Sequence, residues 1–109
     1  MAELRKNTII DLQGYVGQKI KERGFADESL HERLLLLCEE VGELIKACRK
    51  TGIGHIKDTE GDFDISEEIV DVLNMLFAVA IELNLDVESS FREKEKRIDK
   101  RCYARKKDE

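Results

Sequence analysis

The sequence predicts an all-α protein, a bundle of four helices forming one domain over residues 1–109. Three observations carry that expectation. Apolar residues recur at the three- and four-residue steps that line one side of a helix. Pro and Trp are absent and aromatics make up only 6% of the chain, which disfavours a sandwich or barrel. Charged residues reach 39%, enough to cover the solvent sides of several helices. With 41% apolar content the chain can build one core, but a modest one if it stays alone.

The first helix is expected from about Leu4 to Arg23, with Ile9, Leu12, Val16 and Ile20 along one side and Gly24 as its stop. Gly14 and Gly17 each weaken it by about 1 kcal/mol and mark close packing against a neighbour. The second helix starts after Asp27 or Ser29, because Ser29-Leu30-His31-Glu32 has the form of a capping box, and it runs to about Lys50. Thr51 to Phe63 contains Gly52, Gly54 and Gly61 and is expected to be a loop long enough to carry function. Asp64 or Ser66 caps a third helix reaching about Leu83. From Ile69 onward that helix is apolar on almost every side, so it must be covered all round. In so small a protein the second cover is a subunit interface, which predicts an oligomer. Asn84 and Asp86 turn the chain into a fourth helix from about Val87 to Lys107, whose thin apolar stripe of Val87, Phe91, Ile98 and Cys102 lets its far end fray.

Charge and cysteine usage exclude several classes. A net charge of −5 argues against general nucleic-acid affinity. Residues 88–109 hold nine Lys or Arg, but six Asp or Glu are interspersed, the pattern of a solvated helix face and not of a nucleic-acid arm. Cys38, Cys48 and Cys102 are odd in number and lack C-x-x-C spacing, so neither a disulfide framework nor a zinc site is expected. Met1 to Lys6 hold no apolar signal run, and no stretch reaches the length of a membrane span. These features fit a cytoplasmic protein.

The chemistry is concentrated in two acidic phrases, Glu39-Glu40-Val41-Gly42-Glu43 on the second helix and Glu68-Ile69-Val70-Asp71 on the third. A helix turns about 100° per residue, so with Leu37 at zero Val41 falls at about 40°, Leu44 at about 340° and Cys48 at about 20°. On the same scale Glu40, at about 300°, belongs to the apolar arc. Glu43 lies on its flank at about 240°, and Glu39, at about 200°, points further out. Glu68 falls between Val72 and Met75 with Asp71 beside it. Each helix therefore offers an i, i+3 carboxylate pair at the edge of a core. Four such groups converging would repel one another unless a hard divalent cation sat among them.

These residues resemble the MazG-like, all-α nucleoside triphosphate pyrophosphohydrolases, relatives of the dimeric dUTP pyrophosphatases. The resemblance rests on Glu39-Glu40-Val41-Gly42-Glu43-Leu44 with Ala47 one turn later, followed after a loop by Glu68-Ile69-Val70-Asp71-Val72-Leu73, and covers residues 27–101. It implies Mg²⁺-dependent conversion of a nucleoside triphosphate, a deoxynucleotide by preference, to the monophosphate and pyrophosphate, as house-cleaning of the nucleotide pool. It implies Glu40, Glu43, Glu68 and Asp71 as metal ligands, with Mn²⁺ as a substitute ion. Glu39 and Glu43 become the catalytic carboxylates, Glu39 by supporting the cluster or positioning water. Lys94 and Arg101 are implied at the phosphates, although Ile98 stands where relatives often carry Asn. With no Trp to stack on a base, Tyr15, Phe25, His55 and Phe63 are the remaining candidates, and His55 is taken as a substrate contact. A homodimer or a dimer of dimers completes the pocket.

Two other readings compete with this one. Glu28-Ser29-Leu30-His31 has the Glu-x-x-His form of di-iron bundles, but such sites need two copies, and His55 has no glutamate three residues before it. A non-catalytic helical interaction module would leave the acidic phrases as solvated faces paired with Lys46 or Arg49, a reading that suits Glu39 and Glu67 better than the four inward carboxylates.

Overall fold

The computed structural model describes residues 8–53 and 64–100. They form four α-helices: α1 over Ile9–Glu22, α2 over Leu30–Cys48, α3 over Ile65–Glu82 and α4 over Val87–Lys100. Among the described residues there is no strand. A π-helical turn, Arg49–Ile53, extends α2, so the first residues of the expected loop continue the helix; the remainder of that loop, with His55 and Phe63, lies outside the described residues.

Local chemistry sets the ends. Thr8 is extended and its hydroxyl accepts from the Asp11 N–H at 3.3 Å, so α1 starts at Ile9, later than Leu4. Its other end is a Schellman motif: Gly24, at φ +81°, donates to Lys21 O at 3.2 Å and Phe25 donates to Ile20 O at 2.9 Å. Ser29 caps α2, accepting from the Glu32 N–H at 3.1 Å, while its hydroxyl donates to the Glu32 carboxylate, also at 3.1 Å. Asp64 caps α3 by accepting from the Ser66 and Glu67 N–H groups and the Ser66 hydroxyl. At the far end of α3, Asn84 takes the left-handed conformation at φ 55°, and Leu85 donates to Ala80 O at 2.9 Å. Asp86 then caps α4 through the Ser89 N–H at 3.2 Å.

The helices pack in series: α2 lies along α3, α1 packs on α3, and α4 packs on α1. Gly17 lies at the α1–α3 contact, where a Cβ would stand 3.4 Å from Ile81 Cδ1, close to ordinary van der Waals contact; Gly14 meets nothing within 4 Å. Gln13 ties the α3–α4 turn to α1, its amide donating to Leu85 O at 2.7 Å and accepting from the Val87 N–H at 2.9 Å. Glu88 does the same for α4 by accepting from the Ile10 N–H at 3.2 Å.

The core is small. Among the described residues the buried hydrophobics are Ala47, Phe77, Ala78 and Ala80. Meanwhile α2 leaves Leu34, Val41 and Ile45 exposed, and α3 leaves Ile69, Leu73 and Leu76 exposed. Both sets fall at helical steps of three, four or seven, so each helix carries a second apolar stripe facing away from its neighbour.

Candidate functional site

The α2–α3 pair is antiparallel, and two contacts define its register. Arg33 meets Ala78; seven residues later in α2 and seven earlier in α3, Glu40 meets Glu68 and Asp71. Seven residues are about two helical turns, so both contacts lie on the same face of each helix. One carboxylate oxygen from each of Glu40, Glu68 and Asp71 lies within 4.8 Å of the others. Asp64 caps α3 just upstream, which places Glu68 and Asp71 in its first two turns.

Glu40 and Glu68 are half-buried, whereas Asp71 is exposed. Partial burial raises the Glu40 carboxyl above its ordinary pKa, and the Asp71, Glu68, Glu39 and Glu43 charges add to the effect. Glu68 is raised in the same way, by partial burial first and then by Asp71, Glu43, Glu67 and Asp64. It lies in the first turns of α3, where the helix dipole favours an anion, so desolvation and its carboxylate neighbours together outweigh the dipole. The charges acting most strongly on both groups are all negative. The donor set consists of hard carboxylate oxygens from two helices, the kind of set that Mg²⁺, Mn²⁺ or Ca²⁺ takes.

Glu43 and Glu39 lie beside this group. Glu43 is exposed and outside the three-way cluster, but its charge acts on both Glu40 and Glu68. Glu39 is exposed and acts on Glu40. Lys94 is exposed on α4, which packs on α1. Arg101 and Cys102 fall outside the described residues.

Two features were missed by sequence reasoning. Arg33 is only 2% exposed; its guanidinium donates to Ala78 O at 2.7 Å and to Phe25 O at 3.5 Å, and lies 3.6 Å from a Glu82 oxygen, with its Nε buried and unpartnered. It joins the start of α2 to the end of α3 and thereby holds the register that aligns Glu40 with Asp71. Its signal was its spacing, two turns before Glu40 on the same side. The second feature is a cleft of about 210 Å³ between α1 and α3, whose lining includes Tyr15, Arg23, Phe25, Asn74 and Met75. Asn74 and Met75 follow Asp71 by one turn, so the cleft continues the face of α3 that carries the carboxylates. Tyr15 and Phe25, two of the expected base-stacking candidates, therefore share one cavity.

A model of the MazG nucleotide pyrophosphohydrolase domain matches residues 28–105. No curated protein sequence matches the chain. The fold is similar to the crystal structure of a candidate pyrophosphatase from Bacillus subtilis, YPJD, with a TM-score of 0.75 at 24% identity, over 94% of this chain and 100% of that one.

Proposed function

The chain belongs to the MazG nucleotide pyrophosphohydrolase family, hydrolases that act on phosphoric anhydrides, and from that premise we propose that it cleaves a nucleoside triphosphate, preferentially a deoxynucleotide, to monophosphate and pyrophosphate with Mg²⁺. The observation that carries this reading is the meeting of Glu40, Glu68 and Asp71 oxygens within 4.8 Å. Glu40, Glu68 and Asp71 would hold the ion, with Glu43 at its edge as a fourth ligand and Mn²⁺ as a substitute. Bound there, the metal neutralises phosphate charge and makes a water more acidic. Glu39, exposed beside the cluster, orients the attacking water and accepts its proton. Arg33, through the α2–α3 register, keeps the two helices' carboxylates in line.

The reading includes a homodimer or dimer of dimers in the cytoplasm that clears surplus or unwanted nucleotides. The exposed stripes of α2 and α3 support association, since a second copy would cover Leu34, Val41, Ile45, Ile69, Leu73 and Leu76. Such an assembly also offers Lys94 a route to the phosphates in a neighbouring subunit's site, with Arg101 and His55 as further contacts.

The test is pyrophosphate release from a panel of nucleoside triphosphates with Mg²⁺ and with a chelator, for the wild type and for Asp71→Ala and Glu43→Ala. Turnover by the wild type, lost in the chelator and reduced at least about 100-fold in either variant with far-UV circular dichroism unchanged, is the expected result. Wild-type activity in either variant would overturn the ligand assignment. No turnover together with no Mg²⁺-dependent rise in melting temperature would leave the non-catalytic module.

A further inference from the structure

From Ile69 to Ile81, α3 carries only two polar residues, Asp71 and Asn74. Asp71 belongs to the carboxylate cluster. Asn74, one turn on, lines the α1–α3 cleft beside Tyr15, Arg23 and Met75. It is exposed, and its carboxamide makes no hydrogen bond among the described residues. A helix interior is a poor place for Asn, which is disfavoured relative to Leu or Ala by about half a kcal/mol. A solvated helix face does not explain it, because apart from Asp71 the residues α3 exposes nearby are apolar, namely Ile69, Val70, Leu73 and Leu76. Polar groups on this stretch are thus confined to one arc: about 60° separates Asp71 from Asn74 around the helix axis, and Ile81, on the same side as Asn74, meets α1 at Gly17.

We propose that Asn74 is a specificity-determining residue that reads the nucleobase edge of the substrate, with the base in the α1–α3 cleft and the phosphates toward the carboxylates. This rests on the pyrophosphohydrolase reading above and deepens it. A carboxamide presents one acceptor and two donors on one planar group, the complement of a base edge carrying a donor next to an acceptor. Because none of the described residues hydrogen-bonds the amide, it can turn to suit the base it meets. Tyr15 supplies an aromatic ring in the same cavity, with the Lys19 ammonium 5.6 Å from its centroid. About one helical turn, some 5 Å, separates Asp71 from the cleft floor at Met75. That spacing lets a ligand reach from the carboxylates into the cavity.

The experiment compares the full-length wild type with Asn74→Leu and Asn74→Ala. Specificity constants are measured for the four deoxynucleoside triphosphates, and melting shifts are measured with the matching monophosphates without metal. A site that hydrogen-bonds its substrate discriminates strongly and loses that discrimination when the polar group goes. Expected, therefore, is a fall of about tenfold or more for the best substrate, a much smaller fall for the poorest, and loss of the best monophosphate's stabilisation, while the Mg²⁺-dependent melting shift stays as in the wild type. Unchanged ratios among the four bases, or an altered oligomeric state with those ratios intact, would overturn the proposal. If the wild type hydrolyses none of the four, the parent reading fails, and the monophosphate melts still decide Asn74: stabilisation that survives in Asn74→Leu removes it from any nucleotide site.

Discussion

Replacing Glu40 with Gln probes the carboxylate cluster through stability alone. Two unit charges at the 4.8 Å limit of the cluster repel by about 0.9 kcal/mol in water and about 3.5 kcal/mol at an effective dielectric of about 20. The cluster is partly open to solvent, so the lower end governs, and relief of Glu40 from Asp71 and Glu68 is worth about 1–2 kcal/mol to the metal-free protein. For a domain of this size that raises Tm by about 4–8 °C. The gain depends on pH. The Glu40 carboxyl is held above its ordinary pKa in the folded state, by burial first and by its acidic neighbours next. A carboxyl raised in this way contributes stability below its unfolded pKa and loses it as pH rises through the folded one. The variant should therefore melt close to the wild type near pH 4 and clearly above it at pH 8 in a chelator. Adding Mg²⁺ closes most of that gap: the wild type gains about 2.7 kcal/mol at a hundredfold excess over Kd, and a tenfold weaker site forfeits about 1.3 kcal/mol of that. Thermal melts followed by circular dichroism at both pH values check each arm. A variant that melts at or below the wild type in chelator at pH 8, or keeps the full Mg²⁺ shift, would refute the reasoning.

Elsewhere, Glu88 accepts from the Ile10 N–H, which is the main cause of its lowered pKa, and pairs with Arg92 at 2.8 Å. Its contribution is present above its unfolded pKa and lost as pH falls through the folded one, so Glu88→Gln should lower Tm at pH 7 and converge with the wild type near pH 3, as melts at the two pH values would show. Ile45, 62% exposed at the end of the α2 stripe, should be buried by a second copy, so Ile45→Lys should shift the protein toward monomer in sedimentation equilibrium. An unchanged assembly would remove α2 from the interface.

Much of the fold was legible because helix ends are decided by a few nearby atoms. Ser29 with Glu32, Asp64 with Ser66, and Gly24 all carry their signal within three residues, and each sits at a helix end as that chemistry requires. The start of α1 was less legible, since apolar spacing reaches back toward Leu4 while the decisive event is the Thr8 hydroxyl taking the Asp11 N–H. The second apolar stripes were foreseen only for α3, from its apolar character all round.

The arrangement of the acidic cluster was harder to read, and α2 shows why. Its apolar arc is wide enough for two contacts, and a single sequence cannot say which half faces α3. The half that does so is marked by Arg33, Glu40, Leu44 and Ala47, centred at about 310° on the scale set at Leu37. That centre lies about 110° from the middle of the exposed stripe of Leu34, Val41 and Ile45. Glu40 is therefore close to the middle of the contact, where spacing alone had set it toward one side, and Glu43 is turned about 70° away from that middle. This rotation puts Glu40 in the triad and leaves Glu43 acting on it from outside. The same logic applies to the polar residues that amphipathic reading passes over. Arg33 and Asn74 interrupt apolar runs without building a polar face, and each is placed by a neighbour the sequence does not name: Arg33 by the carbonyl of Ala78, Asn74 by the cleft that α1 closes against α3. A polar residue on an apolar arc is thus informative once the arc's partner is known, because it must then answer to a charge, a carbonyl or a ligand.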